Sequence, residues 1–152
     1  MKVFLDANVL VSVLNKEYPH FSHTSRVLGL ADTAQFTLYT SSLCLAIGYY
    51  FASKKSGNAM AKRKLAILAD KLGIAEISAS AVKQALTNDL VSDVEDGFQY
   101  YAAREVGCNC IVTDNVSDFY FGDLDVLRAE DFLIAHVYGK KLTNKKGTAQ
   151  VP

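Results

Sequence analysis

The chain has 152 residues, the size of one ordinary domain, and half of them are hydrophobic, which excludes a disordered chain and a coiled coil. The 16 basic and 16 acidic side chains leave no formal net charge. No global field therefore draws the protein to nucleic acid or to a membrane, and any such attraction must come from local patches.

Features of targeting and redox state favour the cytoplasm. The amino-terminal residues lack the pattern of a signal peptide, and the longest apolar run, Leu43 to Ala52, is about half as long as a bilayer span. The three cysteines, at positions 44, 108 and 110, lack C-x-x-C spacing, so buried reduced thiols are expected rather than a zinc site or disulfides. We therefore expect a cytoplasmic protein without a membrane partner.

The first half of the chain alternates between strand and helix patterns. Residues 3–5 form a short apolar run typical of a buried strand, and apolar positions from 9 to 14 keep helical spacing until Pro19. A second helix is predicted from residue 20 or 22 to residue 30, followed by an alternating strand at 36–39. Residues 40–42, Thr-Ser-Ser, are an N-cap cluster for a helix whose apolar part is 43–52 and which is expected to end near residues 56–57, Ser-Gly.

The second half continues this alternation. An amphipathic helix at 58–72 is expected to end at Gly73 in the manner of a C-cap, and 74–77 is a third strand candidate. A short helix at 79–86 and a loop at 88–91 precede a helix that runs from Asp93 to residue 106 and ends at Gly107. Strands are predicted at 110–113 and 125–127, with a loop and one helical turn at 114–122 between them and a last helix at 129–138.

Strands that alternate with helices predict right-handed βαβ units. The expected fold is an α/β protein, a three-layer α/β/α sandwich with a mainly parallel sheet of about five strands. This domain spans residues 1–138, and the polar, basic tail at 139–152 is predicted to be disordered.

Three acidic residues fall where ligands bind in such folds. Asp6 follows the first strand, although it or Asn8 could instead only cap the next helix. Asp96 lies in a first helical turn and Asp118 follows the fourth strand, so the strand order 3-2-1-4-5 would bring all three acids to one crevice. Converging carboxylates repel, and Mg²⁺ or Mn²⁺, which prefer oxygen ligands, would remove that conflict. Such a site is suited to the hydrolysis of phosphodiesters.

Other catalytic constellations find little support. The chain has no G-x-S-x-G elbow and no Walker loop, and its histidines do not suggest a triad. His20 and His23 could meet on a helix face, where a solvated pair is favoured over a metal site. A phosphatase of haloacid-dehalogenase type would need D-x-D after the first strand, but Asn8 occupies the second acidic position.

Four segments in this order resemble a PIN domain: 5–10 (LDANVL), 40–43 (TSSL), 93–103 (DVEDGFQYYAA) and 111–119 (IVTDNVSDF). The resemblance covers about residues 1–133 and is strongest to a bacterial branch with the motifs D-x-E-D-x-x-Q-Y and T-x-N-x-x-D-F. It implies an α/β/α sandwich, Mg²⁺- or Mn²⁺-dependent cleavage of single-stranded RNA and, for VapC-type toxins, pairing with an antitoxin protein.

The resemblance also implies roles for individual residues. Asp6, Asp96 and Asp118 would bind the metal, and Asn115 would join them in catalysis where many relatives have another aspartate. Some neighbours have a structural alternative: an N-cap for Asp93, the helix dipole for Glu95, an Asx-turn for Asn115 and a cap for Thr113. The secondary candidates are Asn8, Ser41, Asp93, Glu95, Thr113 and Asp114.

One position departs from the family pattern. Many active PIN domains carry glutamate in the helix after the second strand, and Ile47 stands there in this chain. Water could fill the vacancy, or Asp93, Glu95 or Asp114 could substitute. The alternative to a toxin-type ribonuclease is therefore a catalytically weak or inactive PIN module that binds RNA or a protein partner.

Basic and apolar clusters suggest partners. Five cations are either a phosphate-binding patch for RNA or a solvated helix face. The apolar segment 49–51 is expected to be core or the face of a homodimer. The cations are Lys54, Lys55, Lys62, Arg63 and Lys64.

Overall fold

A five-stranded parallel sheet forms the centre of the computed structural model, which describes residues 1–139. The strands lie in the order β3-β2-β1-β4-β5, and every neighbouring pair is parallel. This confirms the predicted strand order and the parallel sheet. The strands are β1 (Lys2–Leu5), β2 (Thr37–Ser41), β3 (Gly73–Ala75), β4 (Cys110–Val112) and β5 (Asp125–Leu127).

Helices cover both faces of this sheet. From β1 the chain moves to β2 and β3 on one side of the sheet, and it then returns to β4 and β5 on the other side of β1. Because crossovers between parallel strands are right-handed, connections that run in opposite directions place their helices on opposite faces. The predicted three-layer α/β/α sandwich is therefore confirmed. The helices are α1 (Ala7–Asn15), α2 (Phe21–Gly29), α3 (Ser42–Ser56), α4 (Asn58–Lys71), α5 (Ala79–Thr87), α6 (Val94–Glu105) and α7 (Ala129–Leu133).

The central strands are buried on both faces. Val3, Phe4 and Leu5 of β1 and Ile111 and Val112 of β4 have no solvent exposure. This explains why their sequences are continuous apolar runs rather than alternating ones. The sheet edge at which β1 and β4 end is consequently held by a rigid core.

Several predicted boundaries were wrong. Gly73 is not a C-cap but the first residue of β3, where a β-carbon would lie 2.6 Å from the ring of Tyr39. Close packing, rather than a left-handed backbone, therefore requires glycine there. The strand β3 ends at Ala75, not at residue 77, because its only partner β2 ends at the paired Ser41. Two helix ends, by contrast, were predicted correctly: the apolar helix ends at Ser56, and α7 continues to Tyr138 through a π-helical segment, Ile134–Tyr138.

Other predictions were confirmed or cannot be compared with the structure. Gly107 ends α6 with a positive φ of 76°, and Cys44, Cys108 and Cys110 are buried free thiols. Within residues 1–139 we find no helix with the length and hydropathy of a membrane span. Residues 140–152, nearly all of the predicted tail, lie outside the described residues.

Gly122 offers a test of the packing around α6. A β-carbon at this position would lie 2.1 Å from Cε2 of Tyr100, a buried ring whose hydroxyl accepts a hydrogen bond from the Asp123 amide at 2.8 Å. Because this ring is held in place, Gly122→Ala is expected to lower the free energy of unfolding by about 2 kcal/mol in urea titrations. Gly29→Ala is the control, since no atom lies within 4 Å of its β-carbon. Equal losses in both variants would contradict this account.

Candidate active site

Asp6 lies at the carboxyl end of β1 and is almost completely buried. Its Oδ1 accepts a hydrogen bond from the Ala7 amide at 2.7 Å, and its Oδ2 accepts one from Thr113 Oγ1 at 2.8 Å. The first bond makes Asp6 the N-cap of α1. The second bond ties the carboxylate to the end of β4, so Asp6 also belongs to the crevice between the strands.

Thr113 joins the ends of the two central strands. In addition to its bond to Asp6, its hydroxyl accepts hydrogen bonds from Asn8 Nδ2 at 2.9 Å and from the Asn115 amide at 3.1 Å. Asn8 also accepts a bond from the Asp114 amide at 3.1 Å. The loop after β4 is therefore fastened to the start of α1, next to the short 3₁₀ turn that carries Asp118.

The first turn of α6 supplies a second group of acids. Asp93 is the N-cap, as predicted, and accepts a hydrogen bond from the Glu95 amide at 2.9 Å. Burial, followed by the charges of Asp93, Asp6, Asp118 and Glu95, raises the pKa of Asp96 to about 7. The pKa of Asp6 is also raised, chiefly by burial, although its hydrogen bonds oppose the shift. These carboxylates therefore repel one another across a common space.

That common space is a cleft of about 510 Å³, called here the acidic cleft. It contains all four predicted catalytic residues and most of the secondary candidates. The other two candidates, Thr113 and Ser41, are fully buried beside it. The predicted residues that line it are Asp6, Asn8, Asp93, Glu95, Asp96, Asp114, Asn115 and Asp118.

Gln99 also lines the acidic cleft, and the sequence analysis missed it. Ser41 Oγ accepts a hydrogen bond from the Cys44 amide at 3.1 Å and donates its proton to Gln99 Oε1 at 2.5 Å. Because Oε1 is engaged in this way, the Nε2 donors of Gln99 remain for other partners. Two signals were available: Gln99 is the glutamine of the motif D-x-E-D-x-x-Q-Y, and it is three residues after Asp96 and therefore on the same face of α6.

His20, at the rim of the acidic cleft, was not predicted to be part of the site. His20 lines the acidic cleft, and its Nδ1 lies 3.5 Å from Asp114 Oδ2, whereas His23 Nε2 lies 4.0 Å from Glu130 Oε2. The two histidines thus contact separate carboxylates, and His20 is largely exposed to solvent. Asp114 therefore has a basic neighbour that the other cleft acids lack.

The donor set suits a hydrated divalent cation. Among residues 1–139, no basic side chain forms an ion pair with Asp6, Asp96 or Asp118. In the same part of the chain, no three histidine, cysteine, aspartate or glutamate side chains are gathered closely enough to hold an ion directly. Mg²⁺ keeps several waters and needs only one or two direct carboxylates, so uncompensated acids around a cleft of this size fit it better than they fit zinc.

One wall of the acidic cleft is apolar. Ile47 and Phe51 of α3 line it, at the position where the resemblance places a glutamate. Cys44, one turn before Ile47, has its Sγ 3.9 Å from Asp6 Oδ1. Burial and then the charge of Asp6 raise the pKa of this thiol to about 12, so it is neutral and does not replace the missing acid.

The five basic candidates lie outside the acidic cleft. Lys55 Nζ donates to the carbonyl of Asn15, and Lys64 Nζ donates to that of Leu14 at 3.2 Å, so both cap the carboxyl end of α1. Lys54 lies over the ring of Tyr50, 4.1 Å from its centroid. Lys62 and Arg63 are exposed on α4. Three of these cations thus have intramolecular contacts, and RNA binding by the group stays a prediction.

Known proteins share this architecture. Ribonuclease VapC1 of Aquifex aeolicus (strain VF5) is 29% identical over 138 residues, which cover 86% of this chain and 92% of that protein. The crystal structure of VapBC2 from Rickettsia felis, bound to a DNA fragment from its promoter, contains a chain with a TM-score of 0.64 and 24% identity. That match covers 84% of this chain and 98% of the other. VapC20 of Mycobacterium tuberculosis, described as a sarcin-ricin loop cleaving toxin, has a TM-score of 0.57 and 16% identity, with coverage of 72% and 86%.

These structural similarities show the fold, and the family follows from the sequence. The PIN domain family model matches residues 2–117, which include both central strands, α6 and the loop that carries Asn115. The match therefore contains most of the acidic cleft as well as most of the chain. The protein is a member of the PIN domain family.

Proposed function

We propose that the protein is a metal-dependent endoribonuclease that hydrolyses RNA phosphodiester bonds in the acidic cleft. The observation that carries this proposal is the convergence of Asp6, Asp96 and Asp118 in one cleft without an ion-pair partner among residues 1–139. A cluster of this kind favours a cation and, through it, a phosphate group. The similarity to a protein named Ribonuclease VapC1 supports the same activity.

Each proposed residue has a role that its position supports. Asp6, Asp96 and Asp118 would hold Mg²⁺ or Mn²⁺, which when bound polarises a phosphoryl oxygen and lowers the pKa of water. Thr113 and the Ala7 amide keep the carboxylate of Asp6 aimed along the crevice. The side-chain amides of Asn115 and Gln99 would donate hydrogen bonds to the attacking water or to a phosphate oxygen.

We also propose that the protein is the toxin of a toxin-antitoxin pair, that it forms a homodimer and that it acts in the cytoplasm. The similarity to a chain of the VapBC2 complex supports an antitoxin partner. Tyr49 packs against the core, whereas Tyr50 and Phe51 are 52% and 46% exposed, so these two side chains of the segment 49–51 are suited to a protein interface. The free thiols fit a reducing compartment.

One observation favours a second candidate function. Ile47 puts an apolar side chain on a wall of the acidic cleft where the resemblance places a metal ligand. Loss of even an indirect ligand contact typically reduces metal affinity or activity by about 10- to 100-fold. The alternative is therefore a weak or inactive PIN module that binds RNA or a protein without cutting.

The proposal is tested by incubating the purified protein with single-stranded RNA in Mn²⁺, in Mg²⁺ and in EDTA. We expect internal cleavage with either ion and none in EDTA, because the carboxylates alone repel the phosphate. Persistent cleavage in EDTA would refute metal dependence. Binding of RNA without cleavage at any ion concentration would favour the inactive module.

A further inference from the structure

A second pocket, of about 480 Å³, lies beside the acidic cleft and has no role in the proposed hydrolysis. We call it the side pocket. It lies between the start of α2, the loop after β4 and the start of α7, and it shares His20 and Asp114 with the acidic cleft. A strand bound in the cleft would therefore pass its entrance. The polar side chains that line the side pocket include His20, His23, Asp114, Arg128 and Glu130.

The side pocket presents unused hydrogen-bonding groups. His23 Nδ1 has no hydrogen-bond partner within residues 1–139, but it is buried, so a ligand would meet the exposed part of this ring and not Nδ1. Arg128 is exposed, and in this part of the chain its guanidinium forms no ion pair. Glu130 is also exposed, and within residues 1–139 its one ion-pair partner is His23, whose Nε2 lies 4.0 Å from Oε2 of Glu130. A ligand that fits these groups needs hydrogen-bond acceptors for Arg128, hydrogen-bond donors for Glu130 and a flat face that can stack on an imidazole.

We propose that the side pocket binds a guanine base of the RNA, next to the scissile phosphate. This assignment rests on the proposed function, since the base belongs to the strand that is cut. The pocket volume lies within the range of small-molecule sites. Unpaired RNA bases are splayed out and stack on aromatic rings, here the imidazoles of His20 and His23.

Guanine is favoured because of the pair Arg128 and Glu130. An arginine fork binds the adjacent O6 and N7 acceptors of guanine, whereas adenine and cytosine lack two adjacent acceptors on that edge. The carboxylate of Glu130 can accept hydrogen bonds from the N1–H and amino group on the adjoining Watson–Crick edge of guanine, and uracil has no amino group there. No other base satisfies the guanidinium and the carboxylate together.

The binding test uses the full chain in EDTA, so that it does not depend on catalysis. The four nucleoside 5′-monophosphates are titrated while the imidazole NMR signals of His20 and His23 are followed. We expect GMP to bind about tenfold more tightly than the other three and to shift the His23 signals. Arg128→Ala and Glu130→Gln should each reduce GMP affinity to the level of the others. Asp125→Asn, which removes an exposed charge on β5 from a residue that does not line the side pocket, should retain the preference.

A cleavage test separates this proposal from the proposed function. RNA oligonucleotides that carry a single guanine at successive positions should be cut next to it, and Arg128→Ala should remove this preference without abolishing cleavage. Equal affinity for the four nucleotides, or a guanine preference that survives both substitutions, would overturn the assignment. If RNA is cut with no preference for guanine, the proposal of guanine binding in the side pocket is wrong, whereas the proposed ribonuclease activity is supported. If GMP binds as expected but no RNA is cut with any ion, the proposed ribonuclease activity is wrong, whereas guanine binding in the side pocket is supported.

Discussion

Asp96→Asn is expected to reduce RNA cleavage at least about 100-fold while making the metal-free protein more stable at pH 8. The loss of activity is expected because asparagine keeps the size of the side chain but removes the charge that would hold the cation. The gain in stability is expected because Asp96 is surrounded by Asp93, Asp6, Asp118 and Glu95, whose charges oppose its own. Opposite effects on activity and stability are typical of a functional site.

The raised pKa of Asp96 determines how the stability of the protein should change with pH. Burial and the neighbouring acids raise the pKa of Asp96 from its ordinary 3.8 to about 7, so the folded protein binds this proton more tightly than the unfolded chain does. The stability of the metal-free wild type should therefore fall as the pH rises from about 4 to about 7 and then level off. Because the side chain is partly exposed, solvent screening limits the contribution to about 1 kcal/mol. The variant should lack this part of the pH dependence.

The measurements are RNA cleavage rates in Mn²⁺ and melting temperatures in EDTA at pH 5 and pH 8. Asp70→Asn is the matched control, since it removes the same charge from an exposed position on α4 outside the acidic cleft. We expect wild-type activity and a wild-type pH profile from this control. Full cleavage by Asp96→Asn would exclude the residue as a metal ligand, and a lower melting temperature at pH 8 would contradict the repulsion among the cleft acids.

Ile47→Glu is expected to raise Mn²⁺ affinity and RNA cleavage by about 10- to 100-fold. Ile47 already lines the acidic cleft on α3, so a glutamate there would add an oxygen ligand without rearranging the backbone. The same substitution adds a negative charge to a site that is already repulsive. The metal-free variant should therefore be less stable than the wild type above pH 7 and should regain stability when Mn²⁺ is added.

Ile47→Gln separates the added charge from the added polar group. It has nearly the same shape as the glutamate variant but supplies no carboxylate, so Mn²⁺ affinity should stay near the wild-type value. The two variants are compared by calorimetric Mn²⁺ titration and by cleavage rate. Unchanged affinity in Ile47→Glu would mean that this wall does not face the ion. Robust wild-type turnover that the glutamate fails to improve would exclude the inactive-module alternative.

Local sequence determined the elements and the identity of the acids. The apolar run of β1 followed at once by Asp6, the N-cap at Asp93 and the positive-φ Gly107 were predictable, because each depends on residues that are neighbours along the chain. Strand alternation with helices then predicted the parallel sheet. The motif resemblance identified the chain positions of Asp96 and Asp118 as candidate ligands.

Only the tertiary structure decided which side chains meet. Gln99 reaches the acidic cleft because Ser41, far away in the sequence, accepts one hydrogen bond and donates another, and no local pattern reports such a pair. Gly73 is required by the ring of Tyr39 on the neighbouring strand, which is why a local C-cap rule failed. The side pocket likewise joins α2 to α7, elements that are distant in the chain. The hydrophobic periodicity of a segment predicts which of its faces is buried. Contacts between segments depend instead on the order of the strands and the packing of the helices.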